Sequence, residues 1–112
     1  MRSVGVDERI AALVAHHSCA WLEAQERGLA EMLRREFVQE DSATADALWY
    51  CDMTTGPDGL PVRVEERIAE ITSRYGLNDP VTRSMVRAEP VIVAAVRRTE
   101  QRLRTWEAAQ PM

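Results

Sequence analysis

The chain contains no lysine: all fourteen of its basic residues are arginine. Alongside abundant alanine, that bias fits a GC-rich bacterial genome and carries no mechanism of its own. Positive charge is also in the minority, with eighteen acidic residues and a net charge of −4. No arginine cluster overturns that balance, which argues against nucleic acid as the main partner, because phosphate binding needs a local excess of positive charge. Cysteine is scarce. Cys19 and Cys51 are not spaced as Cys-x-x-Cys, so a four-thiol zinc site is excluded, and a disulfide framework is not expected. Long apolar runs are missing as well. Met1-Arg2-Ser3-Val4-Gly5-Val6-Asp7 lacks the apolar stretch of a secretory signal, and no window approaches the roughly 20 apolar residues that span a bilayer. A cytoplasmic protein with no membrane partner and two free thiols is expected.

What is present is ordinary for a folded protein. Apolar residues make up 46% and charged residues 29% of 112 positions, which excludes disorder and leaves room for one domain, residues 1–112. The pattern is helical throughout, with no convincing strand, repeat or low-complexity linker. Asp7 caps a first helix in which Ile10, Leu13, Val14 and His17 recur at i, i+3, i+4 and i+7. His17 is therefore predicted to share a buried stripe, with His16 about 100° around the helix. A second helix over 19–27 ends at Gly28, and a third over 29–37 gathers Leu29, Met32, Leu33 and Phe37 on one side.

Residues 43–53 form a fourth helix, which the pattern makes central, with Ala45, Leu48 and Asp52 on one face and Trp49 beside them. Thr54-Thr55-Gly56-Pro57-Asp58-Gly59 is the strongest turn. A fifth helix, 64–75, aligns Val64, Ile68, Ile71 and Tyr75 before Gly76. A sixth opens with Asp79 as cap and Pro80 at its first position and is predicted to break at Pro90. A last helix, 91–108, carries Ile92, Val96, Thr99, Leu103 and Trp106 as a packing seam, with Arg97, Arg98, Arg102 and Arg104 on a solvated face. The fold class is all-α, a compact domain of about six or seven short helices.

Chemistry, if any, centres on the two adjacent histidines. His16, His17 and Asp52 are candidate metal ligands, since imidazole and carboxylate suit Mn, Fe, Ni or Zn, or Mg with added oxygen donors. A carboxylate near a helix C-terminus on an apolar stripe needs compensation, from a cation or from an Arg or His partner. A mixed zinc site of His16, Cys19 and Cys51 is a weaker alternative. Ser18 follows His17 but lacks the glycine-flanked elbow of a nucleophile. Phosphate contacts would come from Arg27, Arg63 or Arg67.

The run Val14-Ala15-His16-His17-Ser18-Cys19-Ala20, the run Glu23-Ala24-Gln25-Glu26-Arg27-Gly28-Leu29 and the run Ala45-Asp46-Ala47-Leu48-Trp49-Tyr50-Cys51-Asp52-Met53-Thr54-Thr55-Gly56-Pro57-Asp58-Gly59 resemble bacterial HD-domain proteins. The likeness continues from Val64-Glu65-Glu66-Arg67-Ile68-Ala69-Glu70-Ile71 to Ala94-Ala95-Val96-Arg97-Arg98-Thr99-Glu100 and matches the C-terminal two-thirds of such proteins. That superfamily comprises helical, metal-dependent phosphohydrolases named for a His-Asp dipeptide. The resemblance implies that His16 and His17 take the later histidine positions and that Asp52 is the distal aspartate, followed as it is by Met53-Thr54-Thr55; Asp46 fits that role less well. It also implies a divalent metal cofactor and Arg27 and Arg67 as contacts for substrate phosphate.

The sequence holds no His-Asp pair and no earlier histidine, so relative to the family the domain reads as truncated at its N-terminus. An incomplete metal site with weak or no hydrolysis follows, alternatively a non-catalytic helical interaction module. Apolar residues such as Leu13, Leu48 or Trp49 would then be bared. Self-association, most simply as a two-fold dimer, or a chain supplying the absent segment, would cover them.

Overall fold

The computed structural model describes residues 7–111, without the side chains of Cys19 and Trp21. Six α-helices follow one another: α1 Glu8–Ala15, α2 Ala20–Glu26, α3 Ala30–Glu36, α4 Ala43–Met53, α5 Val64–Tyr75 and α6 Pro80–Ala109. A 3-10 turn, His17–Cys19, links the first two. Among the described residues there is no strand, only an isolated bridge between Thr55 and Pro61. The domain is all-α, as its periodicity predicts, and no helix of the described residues is long and apolar enough to cross a membrane.

Local chemistry sets most helix ends. Asp7, Ser42 and Asp79 each accept a hydrogen bond from a first-turn N–H, the bonds to Arg9, Ala45 and Val81 measuring 2.8, 3.1 and 2.9 Å. Gly28 and Gly76 take φ of +76° and +80° where α2 and α5 stop, a conformation in which a Cβ would be strained. The turn after α4 closes through Gly56 N–H to Leu60 C=O at 2.8 Å and Val62 N–H to Thr54 C=O at 2.9 Å. A Cβ on Gly56 would come within 3.1 Å of the Asp58 carboxylate.

The organising element is α6 rather than α4. It packs against α2, α4 and α5, and its Ala88, Ile92, Ala95, Val96 and Thr99 are buried. Ile92 and Met53 of α4 are the largest fully buried side chains, joined in the core by Leu22, Val64, Ile68 and Ile71. The predicted break at Pro90 does not occur: α6 runs unbroken through it for 30 residues. Proline there removes one N–H and crowds the carbonyl of Val86, a cost of about 3 kcal/mol. Burial of Ala88 on one side and Ile92 on the other holds both halves on one axis, and tertiary packing of this kind outweighs local propensity. The predicted sixth and seventh helices are thus one, and the described residues hold six α-helices, within the expected six or seven.

The apolar stripes of α1 and α3 also differ from expectation. In α1 the buried residues are Ala11 and Ala12, while Ile10 and Val14 are exposed. In α3 nothing is buried, and Leu29 and Met32 face solvent. Leu13, Leu48 and Trp49 are half-buried, Trp49 against the core. Of the α6 seam, Ile92, Val96 and Thr99 are interior, but Leu103 and Trp106 are exposed, Trp106 at 62%.

Ionic links fasten the periphery. Arg9 of α1 grips Glu40 through two bonds of 2.8 Å, which with help from Ser42 brings the Glu40 carboxyl down to about 2. Glu26 of α2 receives Arg83 and Arg87 of α6 at 3.1 and 3.2 Å, and both lower its pKa.

Candidate metal centre

Helix α1 ends at Ala15, with His16 as its C-cap and His17 in the turn that follows. Ser18 adopts φ 52° and ψ 41°, a left-handed conformation rare for a residue with a Cβ. The predicted orientations of the histidines are exchanged because the buried face of α1 is that of Ala11 and Ala12, which His16 continues at i+4, and not that of Ile10 and Val14. His16 is the buried one, at 4% exposure, with Nε2 2.9 Å from the carbonyl of Phe37 at the end of α3. A carbonyl only accepts, so Nε2 carries the proton, and buried Nδ1 has no hydrogen-bond partner.

His17 faces α4. Its Nδ1 lies 2.6 Å from the carbonyl of Val14 and must be the donor, which leaves Nε2 as the acceptor of the neutral ring. That atom stands 3.8 Å from Asp52 Oδ2, with the two side chains 43% and 33% exposed. Asp52 comes from the penultimate position of α4. Its carboxylate is oriented by Ser18, whose hydroxyl donates to Oδ2 at 2.6 Å. The strained serine redirects the chain just after His17, and its side chain fixes the group that His17 meets.

The structure brings His17 and Asp52 together, as expected, although His17 comes from the 3-10 turn and not from an inward face of α1. His16 is instead committed to Phe37. Among the described residues no three His, Cys, Asp or Glu side chains form a group that could hold one metal ion. Cys51 is an exposed free thiol on α4, and the side chain of Cys19 lies outside the described residues, so the mixed zinc site gains no geometry.

Arg67 joins the pair. It lines a cleft of about 320 Å³ with His17, Ser18, Glu23, Asp52 and Arg74. It also lines a more open one of about 500 Å³ with Val14, His17, Leu48, Cys51 and Asp52. Its side chain is only 17% exposed, Nη1 donates to Glu70 at 2.9 Å, and its buried Nε has no partner. Arg27 instead pairs with Glu23 at 3.2 Å, and Arg63 with Glu66 at 2.8 Å, which raises the Arg63 pKa. Of the phosphate candidates, Arg67 is the one that shares a cleft with His17 and Asp52.

Comparison with known proteins adds no relative. No family model matches the chain, and neither the curated proteins nor the solved structures contain a match.

The more deeply buried carboxylate is one that sequence reasoning set aside. Asp46, in the first turn of α4, has a side chain only 8% exposed. Arg98 grips it with both arms, Nε to Oδ2 at 2.8 Å and Nη2 to Oδ1 at 2.9 Å, and Arg102 adds a bond of 2.7 Å. These bonds, that of Arg98 foremost, hold the Asp46 carboxyl below the usual carboxylate range against the opposing effect of burial. Arg98 and Arg102 are thus not simply a solvated face: they clamp α6 to α4. The usable signal was the i, i+4 spacing of the two arginines on the helix that also carries the seam.

Proposed function

We propose that this chain is a divalent-cation half-site of the HD phosphohydrolase type, incomplete by itself, which binds metal and turns over phosphoesters weakly or not at all. The observation that supports it is the facing of His17 Nε2 and Asp52 Oδ2 at 3.8 Å while Nδ1 is held by the Val14 carbonyl. With the ring neutral both atoms are acceptors, and a cation between them would be held by both. The separation lies within the span of two metal–ligand bonds of about 2.1 Å, and a carbonyl on the far ring nitrogen is the usual support for a ligating histidine.

The chain's own residues then have defined parts. His17 and Asp52 bind, Ser18 orients Asp52, and Arg67, held by Glu70, offers positive charge to an anionic group in the cleft. A divalent metal in such a centre supplies Lewis acidity and a hydroxide at neutral pH. Two donors fall short of the three that a catalytic zinc takes from protein, and the sequence has no His-Asp pair to add more.

The test has two arms. Mn²⁺ or Ni²⁺ titrated into the isotopically labelled chain should broaden the ring resonances of His17 selectively, and His17→Ala or Asp52→Asn should remove the binding. A generic phosphodiester and nucleotides with Mn, Ni, Mg or Zn should give turnover at or near background. Binding indifferent to both substitutions would refute the half-site. Metal-stimulated hydrolysis abolished by both would show the centre to be complete. The second reading, a non-catalytic helical interaction module, is favoured by the exposure of Leu29, Met32, Leu103 and Trp106, and it requires metal-independent folding with no turnover.

A further inference from the structure

The half-site sits on an apolar surface, and that combination points to what completes it. His17 and Asp52 are both partly open to solvent, and the open cavity they share is walled by Val14, Leu48 and Cys51 on one side and by Arg67 on another. Val14 is exposed, as is Ile10 one turn earlier on α1, so an apolar strip runs from α1 to the two donors. A tetrahedral cation takes four ligands, and this chain presents two at one spot on its surface.

We propose that a second copy of this chain completes the centre, with one divalent cation on a two-fold axis held by His17 and Asp52 of both copies. The proposal rests on the reading of that pair as a cation half-site. A two-fold interface sets the same patch against itself, so a surface half-site next to the axis becomes a set of two imidazoles and two carboxylates without any further residue. Such a set is chemically balanced: the two carboxylates offset the charge of the cation, and two neutral imidazoles give the nitrogen donors that Zn²⁺ or Ni²⁺ favour. Arg67 shares Glu70 with Arg74, so each half-site also carries positive charge, which the two carboxylates at the axis would meet together with the cation. The strip of Ile10, Val14 and Leu48 would be covered in the same event, which gives the dimer an apolar flank around a polar centre.

Sedimentation equilibrium and calorimetry with Zn²⁺ or Ni²⁺ test the proposal on the whole chain. The expected result is a monomer in chelator, a doubled mass on adding metal, and a stoichiometry of one ion per two chains. His17→Ala and Asp52→Asn should each abolish the doubling with the helical circular dichroism intact. Val14→Glu, which leaves both donors in place, should abolish the doubling but keep metal binding, now at one ion per chain. A parent chain that binds one ion per monomer would overturn the second copy while leaving the half-site standing. Doubling that persists in chelator or in His17→Ala would overturn the shared centre, and no binding of metal at all would overturn both.

Discussion

The clamp at Asp46 makes a prediction whose size follows from the geometry. Asp46→Asn keeps the side-chain volume but replaces one acceptor oxygen with an NH2 group that confronts the donors of Arg98 and Arg102. Three charge-assisted hydrogen bonds converge on this carboxylate, itself 8% exposed. Breaking a fully buried pair from one side costs about 3–5 kcal/mol. Both arginines are 47% exposed, however, and can rehydrate, which pulls the cost toward that of a surface pair, about 0.2–1 kcal/mol. A loss of about 1.5–3 kcal/mol lies between these limits. In a domain whose total stability is about 5–15 kcal/mol, that is a large fraction.

The pH dependence carries a definite sign. Because the Asp46 carboxyl is depressed in the folded state, its contribution is fully present above the unfolded value of about 3.9 and disappears as pH falls through the folded value. The stability gap between parent and Asp46→Asn should therefore be constant near neutrality and close progressively in acid. Urea denaturation of both proteins at pH 7 and at steps down to pH 2 measures it. A gap below about 0.5 kcal/mol at pH 7 would refute the clamp, since that is the range of featureless surface substitutions. So would a gap that stays constant to the lowest pH.

Three further substitutions probe other parts of the fold. Pro90→Ala should stabilise the chain by about 1–3 kcal/mol in thermal or urea melts, because the helix already continues through this exposed position and the variant restores a hydrogen bond to the Val86 carbonyl; destabilisation would contradict the unbroken α6. Ser18→Ala and Ser18→Gly both lose the bond to Asp52, but only glycine relieves the positive φ, so Ser18→Gly should be the more stable of the two by about 1 kcal/mol. Ile92→Ala, at a side chain with no exposure, should cost about 2–5 kcal/mol by denaturant titration, and a loss under 1 kcal/mol would mean that α6 is not the core's axis.

Which features the sequence discloses depends on the range of the forces that make them. Helices α4 and α5 start and stop where Ser42, Tyr75 and Gly76 place them, because caps and positive-φ glycines act within a few residues. His17 and Asp52 do meet, but not through the predicted stripe, since His17 stands in the 3-10 turn beyond α1 and that stripe faces outward. Facing was less legible. Periodicity tells which side of a helix is apolar but not whether another element lies against it, so Ile10, Val14, Leu29 and Met32 fall on apolar stripes and still face solvent. Pro90 obeys a local rule that the burial of Ala88 and Ile92 overrides, and Asp46 finds Arg98 and Arg102 more than fifty residues away, beyond any pattern read along the chain. The histidines failed for the same reason of facing: α1 buries the small Ala11 and Ala12, and His16 continues that face, while the larger Ile10 and Val14 that defined the predicted stripe look outward. The left-handed Ser18 then reverses the chain just beyond His17 and brings its hydroxyl to Asp52, a contact that no periodic pattern encodes.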